Sequence, residues 1–169
     1  MTTTKTPRAF TVRPAIAADS AGILNCLHAA FELYRSRYSP AAFADTVLTP
    51  ATLRQRLASM RLFVAVSDAS EVAGTIGCQV VDAGAGSQEG HIRGMAVLPA
   101  WQGSGVATQL LQSAEAELRA RGCAWISLDT TEPLVAAQRF YEKSGFRRSG
   151  KITDFFGMPL IEYIKTLTD

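Results

Sequence analysis

Six consecutive residues, Gln102-Gly103-Ser104-Gly105-Val106-Ala107, join small side chains to the start of an apolar-periodic segment. That combination can hold an anion. The first backbone N–H groups of a helix have no partner inside it, and the macrodipole makes that end positive. Glycines at 103 and 105, with the small Ser104 between them, let a ligand approach the backbone closely. A phosphate or pyrophosphate suits such a place; an ordinary strand–turn–helix corner reads the same way. Two other phosphate loops do not fit. A P-loop needs Lys and Ser/Thr after its last glycine, where this chain has Val106 and Ala107. A dinucleotide fingerprint needs a third glycine near Thr108.

The loop must be carried by a strand before it and a helix after it. His91 to Val97 reads as a strand interrupted by Pro99 and Ala100. Val106, Leu110, Ala114 and Leu118 recur at every fourth position and give one apolar helix face, stopped at Gly122. Around this unit the remaining elements fall in order. Ala9–Arg13 reads as a strand, and Ala17–Arg35 as a single helix whose Asp19 and Glu32 face solvent. Ser39-Pro40 closes a polar, aromatic stretch; Ala41–Asp45 reads as a short helical turn and Thr52–Met60 as a further helix. Leu62–Ser67 and Val72–Asp82 read as strands, with Gly74 and Gly77 allowing a bulge or a close backbone approach, and Ala83–Gln88 as a surface loop. Ala124–Leu128 reads as the fifth strand, and a helix runs from Pro133 to Gly145. Strands beginning at Phe146 and spanning Leu160–Thr166 follow. The interleaving predicts an α/β (α+β) mixed sheet of about seven strands with about four helices packed on it.

At 169 residues, 47% hydrophobic and 19% charged, the chain is sized for one domain with a proper core. The expected organisation is a flexible lead over residues 1–8 and a single domain over 9–169. A net charge of +2 with no clustered basic face argues against a nucleic-acid binder. No apolar run is long enough to span a bilayer, and the first residues lack the apolar stretch of a signal peptide. Cys26, Cys78 and Cys123 are odd in number and set among apolar residues, which favours buried free thiols in the cytoplasm. Two histidines give no His-based metal site.

Gln102, Gly105 and Ala107 resemble motif A of the GNAT superfamily of N-acetyltransferases, Gln/Arg-x-x-Gly-x-Gly/Ala, preceded here by Ala96-Val97-Leu98-Pro99. Ala137, Phe140, Tyr141, Gly145 and Phe146 resemble the same family's A-x-x-F-Y-x-x-x-G-F signature. One departure is Leu134, where many members carry Asn.

The resemblance implies a GNAT-like sheet with a splayed central pair of parallel strands. It implies direct transfer of acetyl from acetyl-CoA, in a ternary complex, to a primary amine of a small molecule or of a peptide or protein. The alternative is a non-catalytic acyl-CoA-binding sensor. It assigns the cofactor to Met95, Ala96, Val97, Gln102, Gly103, Ser104, Gly105, Val106, Ala107 and Thr108. Tyr141 becomes the acid that meets the departing thiolate, although helix spacing alone reads it as a core tyrosine.

Where many members place a strand Glu, this chain has His91, with Glu89 two residues earlier. The imidazole's reference pKa of about 6.5 suits a base near neutrality; a surface histidine near a strand start fits equally. The period of two places His91, Arg93, Met95 and Val97 on one face. Tyr34, Tyr38 and Arg93, with Arg35 and Arg37, are candidates for the acceptor pocket, or for a solvated charged stretch. Arg139 and Lys143 are candidates for the cofactor's 3′-phosphate, or exposed helix residues. The last hairpin, with Asp154-Phe155-Phe156, is a candidate pocket closure and a homodimer contact.

Overall fold

The computed structural model describes residues 8–82 and 88–167. One seven-stranded sheet runs through them in the order β1-β2-β3-β4-β5-β7-β6. Its strands are β1 (Phe10–Pro14), β2 (Arg61–Ser67), β3 (Val72–Asp82), β4 (Gln88–Val97), β5 (Trp125–Thr131), β6 (Arg147–Phe155) and β7 (Met158–Thr166). Only the β4–β5 pair is parallel. The helices are α1 (Ser20–Phe31), α2 (Pro40–Val47), α3 (Pro50–Ser59), α4 (Val106–Ala120) and α5 (Val135–Lys143). The mixed sheet agrees with expectation; the parts of the lead and of the Ala83–Gln88 loop at 1–7 and 83–87 lie outside the described residues.

The feature that shapes the molecule is a bulge in β4. Thr75 pairs with Ala96 and Gly77 with Arg93, so three residue steps of β4 face two of β3. Gly94 takes φ +69°, the left-handed region that a side chain resists. The bulge bends β4 away from its parallel neighbour. Pairing with β5 covers Glu89↔Trp125 to Ile92↔Leu128 and stops there. Beyond it β5 continues to Thr131 on its other neighbour, pairing Asp129–Thr131 with Leu160–Glu162 of β7. The central parallel pair is therefore splayed. The bulge also breaks the expected alternation: His91 and Arg93 share a face, but Val97 stands opposite Gly74, on the face that α4 covers.

α4 lies very close to that face. A Cβ on Gly74 would come within 2.7 Å of Val106 and one on Gly90 within 2.7 Å of Leu118. Val106, Leu110, Ala114 and Leu118 are all at most 1% exposed. Each buried leucine contributes about 1.5–3 kcal/mol, which fixes the helix start against the sheet.

Several helix boundaries differ from expectation. The Ala17–Arg35 helix is three pieces: a 3-10 turn at Ala17–Asp19, α1, and a 3-10 segment at Glu32–Arg37. Asp19 is buried, not solvent-facing. It accepts from the Ile16 amide at 2.8 Å and pairs with Arg13 at 2.8 Å, which tightens the entry turn. Past Phe31 the apolar stripe ends, no side chain is buried, and the chain overwinds. The short turn at Ala41–Asp45 is the full helix α2. Ser39 and Pro40 are its N-cap and first residue rather than a closing signal, and Thr49-Pro50 starts α3 the same way.

Candidate active site

The splay opens a cleft of about 720 Å³ between β4 and β5. Its wall includes Met95, Ala96 and Val97 of the free β4 edge, Gln102, Gly103, Gly105, Ala107 and Thr108 of the loop, and Ala137, Phe140 and Tyr141 of α5. Gly103 and Gly105 take φ +75° and +90°, and nothing lies within 4 Å of where their Cβ atoms would be. Their glycines answer to backbone conformation and leave the approach to the amides clear. Among the described residues, the N–H groups of Gly103, Gly105, Val106, Ala107 and Thr108 donate to no acceptor, and α4 carries no acid in its first turn. Unpaired donors at a positive helix end fit a phosphorylated ligand. Trp101 anchors the loop from below. It is 5% exposed, its indole N–H donates to Glu71 at 2.9 Å, and its ring meets Phe10 edge-on. Ser104 faces this anchor, not the cleft: its hydroxyl and its amide both donate to the Trp101 carbonyl. Val106 likewise turns its side chain under Gly74 and offers the cleft only its amide.

Tyr141 lines the opposite wall, packed against Phe146 and Tyr163 at ring distances of 5.8 and 6.4 Å. Burial pushes its phenol well above the ordinary tyrosine range, so the proton stays on. Its hydroxyl has no hydrogen-bond partner among the described residues. Leu134, also in the wall, precedes α5 without capping it; Gln138 Nε2 instead holds the Thr131 and Glu132 carbonyls at 3.1 and 3.2 Å.

His91 enters the cleft from the β4 side at the last paired stretch, directly across from Ser127. Ser127 Oγ donates to the Glu89 carboxylate, so it accepts from His91 Nδ1–H, 2.9 Å away. That order leaves the lone pair on Nε2. Asp129 Oδ2 is 3.9 Å from Nε2, too far for a direct bond and near enough to favour a positive imidazole. Burial lowers the His91 pKa and outweighs the pull of Asp129, Glu89 and Glu162; Arg93 lowers it further. A lowered pKa favours the neutral imidazole, and the bond to Ser127 orders its tautomer with the proton on Nδ1. Glu89 does not line the cleft; it touches His91 through the bond to Ser127 and through its charge.

Tyr34, Tyr38 and Arg93 line the far end. The Tyr38 hydroxyl is committed, bonded to Thr131 Oγ1 at 2.5 Å. Arg93 pairs with Asp45 of α2 at 3.1 Å. Arg35 lies outside, paired with Glu32 and stacked over Phe43, and Arg37, Arg139 and Lys143 are exposed away from the wall. Phe155 reaches the cleft from the last hairpin, whose tip is held by Ser39 Oγ donating to the Phe156 carbonyl at 2.8 Å. Sequence reasoning missed Ser127, Asp129, Asp45 and Arg56. The signal for the first two was present in Ser127, Asp129 and Thr131, a polar period of two running past the point where the strand was expected to stop.

A sheet pried open at its parallel pair, with a set of free amides on one wall and both Tyr141 and His91 lining the cleft, fits a group-transfer enzyme that takes a phosphorylated carrier. The comparisons agree. The family model of the Acetyltransferase (GNAT) family matches residues 26–146. The aminoglycoside N(6')-acetyltransferase type 1 of Stenotrophomonas maltophilia is 35% identical over 74 residues, 44% of this chain and 48% of the relative. The match thus spans about half the length of that relative. Among solved structures, the PaiA N-acetyltransferase of Thermoplasma acidophilum with coenzyme A aligns at a TM-score of 0.77, 16% identity, over 94% of this chain and 99% of that one. The ribosomal-protein-S18-alanine N-acetyltransferase of Escherichia coli aligns at 0.73, 19% identity, over 95% and 96%. The NatC complex bound to Gag peptide and CoA aligns at 0.74, 21% identity, over 94% and 99%. The chain belongs to the Acetyltransferase (GNAT) family, an acetyl-CoA-dependent class of N-acetyltransferase.

Proposed function

We propose that this chain transfers acetyl from acetyl-CoA to a primary amine of a small molecule by direct attack, with both substrates in the cleft together. The observation that carries this is the set of unpaired amides of Gly103 and of Gly105 to Thr108 beside a cleft that also holds the Tyr141 hydroxyl, without a partner among the described residues, and the ordered His91. Acetyl-CoA supplies the activated acetyl thioester. The loop amides hold its phosphates, and the free edge at Met95–Val97 offers main-chain groups to its arm. His91 Nε2 takes the proton of the incoming amine, directly or through a water. Glu89, through Ser127, fixes the tautomer, and Asp129 steadies the imidazolium that results. Tyr141 presents its proton to the departing sulfur.

The acceptor sets how much the base must do. A lysine-like amine costs about 4.6 kcal/mol to deprotonate at pH 7, an α-amine about 1–1.4. The cytoplasm suits three buried free thiols. A homodimer through the C-terminal strands is compatible with the exposed face of β6.

The test is thermal unfolding with acetyl-CoA, with ATP and NAD as controls, followed by thiol release with an amine panel. At about 100 times its Kd, acetyl-CoA adds about 2.7 kcal/mol and raises Tm by roughly 5–11 °C. No shift in a folded sample refutes the cradle; a shift without turnover on any amine leaves a binding domain only.

A further inference from the structure

Four charged residues besides His91 line the cleft: Asp45, Arg56, Arg93 and Asp129. Two of them cancel, because Arg93 and Asp45 pair at 3.1 Å. Arg56 and Asp129 are left, with opposite signs.

Arg56 stands on α3 with its guanidinium against the bulge; a Cβ on Gly94 would come within 2.7 Å of its Nη1. It is half-buried and makes no ion pair among the described residues. Burial, then the neighbouring Arg93, bring it down to about 10, and Asp45 only partly offsets them. A guanidinium in that setting presents a fork of donors with no carboxylate to fill it. Asp129 stands at the other station, 3.9 Å from His91, and burial raises its carboxyl. Gly94 lies three residues along β4 from His91, roughly 10 Å of strand less what the bulge removes.

We propose that the acceptor is a small amine carrying one carboxylate several bonds away: the amine docks between Asp129 and His91, and the carboxylate sits on Arg56. This rests on the acetyltransferase reading for what enters the cleft. A polycationic acceptor of the aminoglycoside kind requires several unpaired acids. Asp129 is the unpaired acid among the described lining residues, and it is balanced by Arg56. The strand spacing between the two stations favours a longer ω-amino carboxylate over an α-amino acid held by its own carboxylate.

The test measures thiol release at saturating acetyl-CoA with glycine, β-alanine, γ-aminobutyrate, ε-aminocaproate, cadaverine and kanamycin. It uses wild type, Arg56→Met and Arg56→Lys. Calorimetry of the same amines onto the CoA-loaded protein reads binding without requiring turnover, and the CoA-induced thermal shift checks that each variant is folded. Wild type prefers ε-aminocaproate to glycine, cadaverine and kanamycin. Arg56→Met lowers the ratio of kcat/KM for ε-aminocaproate over cadaverine by about 10- to 100-fold, the usual size of a lost charge-assisted contact, and Arg56→Lys restores part of it. An unchanged ratio in folded Arg56→Met, a wild-type preference for kanamycin, or no binding of any amino carboxylate overturns the proposal. Arg56-dependent binding without turnover refutes the acetyltransferase reading and upholds the carboxylate site. Turnover without Arg56 dependence does the reverse.

Discussion

Replacing Gly74 by alanine tests whether the position of α4 sets cofactor affinity. The added methyl would meet Val106 Cγ1 at 2.7 Å, Leu110 Cδ1 at 2.9 Å and the Ala96 carbonyl at 3.1 Å. Carbon atoms rest at about 3.5–4.0 Å, so the first turn of α4 must retreat by roughly 1 Å. Overpacking of this kind costs about 1–3 kcal/mol, or roughly 2–12 °C in Tm for a chain of this size. The same retreat carries the amides of Val106, Ala107 and Thr108 away from a bound anion. One charge-assisted bond is worth about 1.5–3 kcal/mol, so partial loss of one or two weakens acetyl-CoA binding by roughly 10- to 100-fold. His91 and Tyr141 sit on other elements, so kcat at saturating acetyl-CoA stays within a few-fold. Gly22→Ala is the control. Its methyl would fall 2.5 Å from Val72 Cγ2, an equally severe clash, but on α1 and against β3 rather than against α4. The readouts are calorimetric Kd for acetyl-CoA and Tm for both variants. If folded Gly74→Ala binds as tightly as wild type, or Gly22→Ala loses as much affinity, the link from helix packing to the cradle is wrong.

Tyr141→Phe removes a hydroxyl with no partner among the described residues, so Tm should stay within about 2 °C and acetyl-CoA Kd within two-fold, while kcat falls by about 10²–10⁴. Wild-type kcat in this variant removes Tyr141 from the chemistry. For His91, burial lowers the folded-state pKa below the ordinary value of about 6.5. Its contribution to stability is therefore present above that value and lost as pH falls through the lowered one. The groups facing it are Asp129, Glu89, Arg93 and Glu162. Asp129→Asn removes the largest influence that raises the pKa, so the midpoint moves to lower pH still. Titration by NMR reads this cleanly, since the chain has only two histidines and His91→Gln assigns the signal. A midpoint above 6.5, or an upward move in Asp129→Asn, refutes the ordering of causes.

The cradle and the Tyr141 helix were legible because their signals are local: glycines before an apolar period, and an aromatic pair at fixed spacing. The base relay was half legible. His91 and Glu89 are neighbours in sequence, but Ser127, which joins them, comes from a strand 36 residues away from His91. The strand itself was read as ending at Leu128; β7 continues to support it after β4 departs. Asp19 was misplaced for a related reason. Its partner Arg13 lies across a proline turn, and a carboxylate with such a partner can be buried. Gly94 was missed because nothing in HIRGMAV marks one glycine as left-handed, and the cleft residues Asp45 and Arg56 were missed because α2 and α3 meet β4 only in three dimensions. Ser39-Pro40 was read as an end when it is a beginning, an ambiguity that only hydrogen-bond direction resolves.

The seam between β4 and β5 has a consequence for cooperativity. Four residue pairs are all that join the four-stranded half of the sheet to the three-stranded half. Elsewhere the ladders are longer: seven pairs hold β5 to β7. The two halves therefore share little backbone hydrogen bonding, and the common hydrophobic core with side-chain bonds such as Tyr38–Thr131 and Lys165–Glu115 carries most of their coupling. A ligand whose arm lies along the free β4 edge would stand where the missing ladder would have been. In that sense such a ligand would complete the architecture, and hydrogen-exchange protection of the amides along Arg93–Val97 that do not bond β3 would rise when it binds.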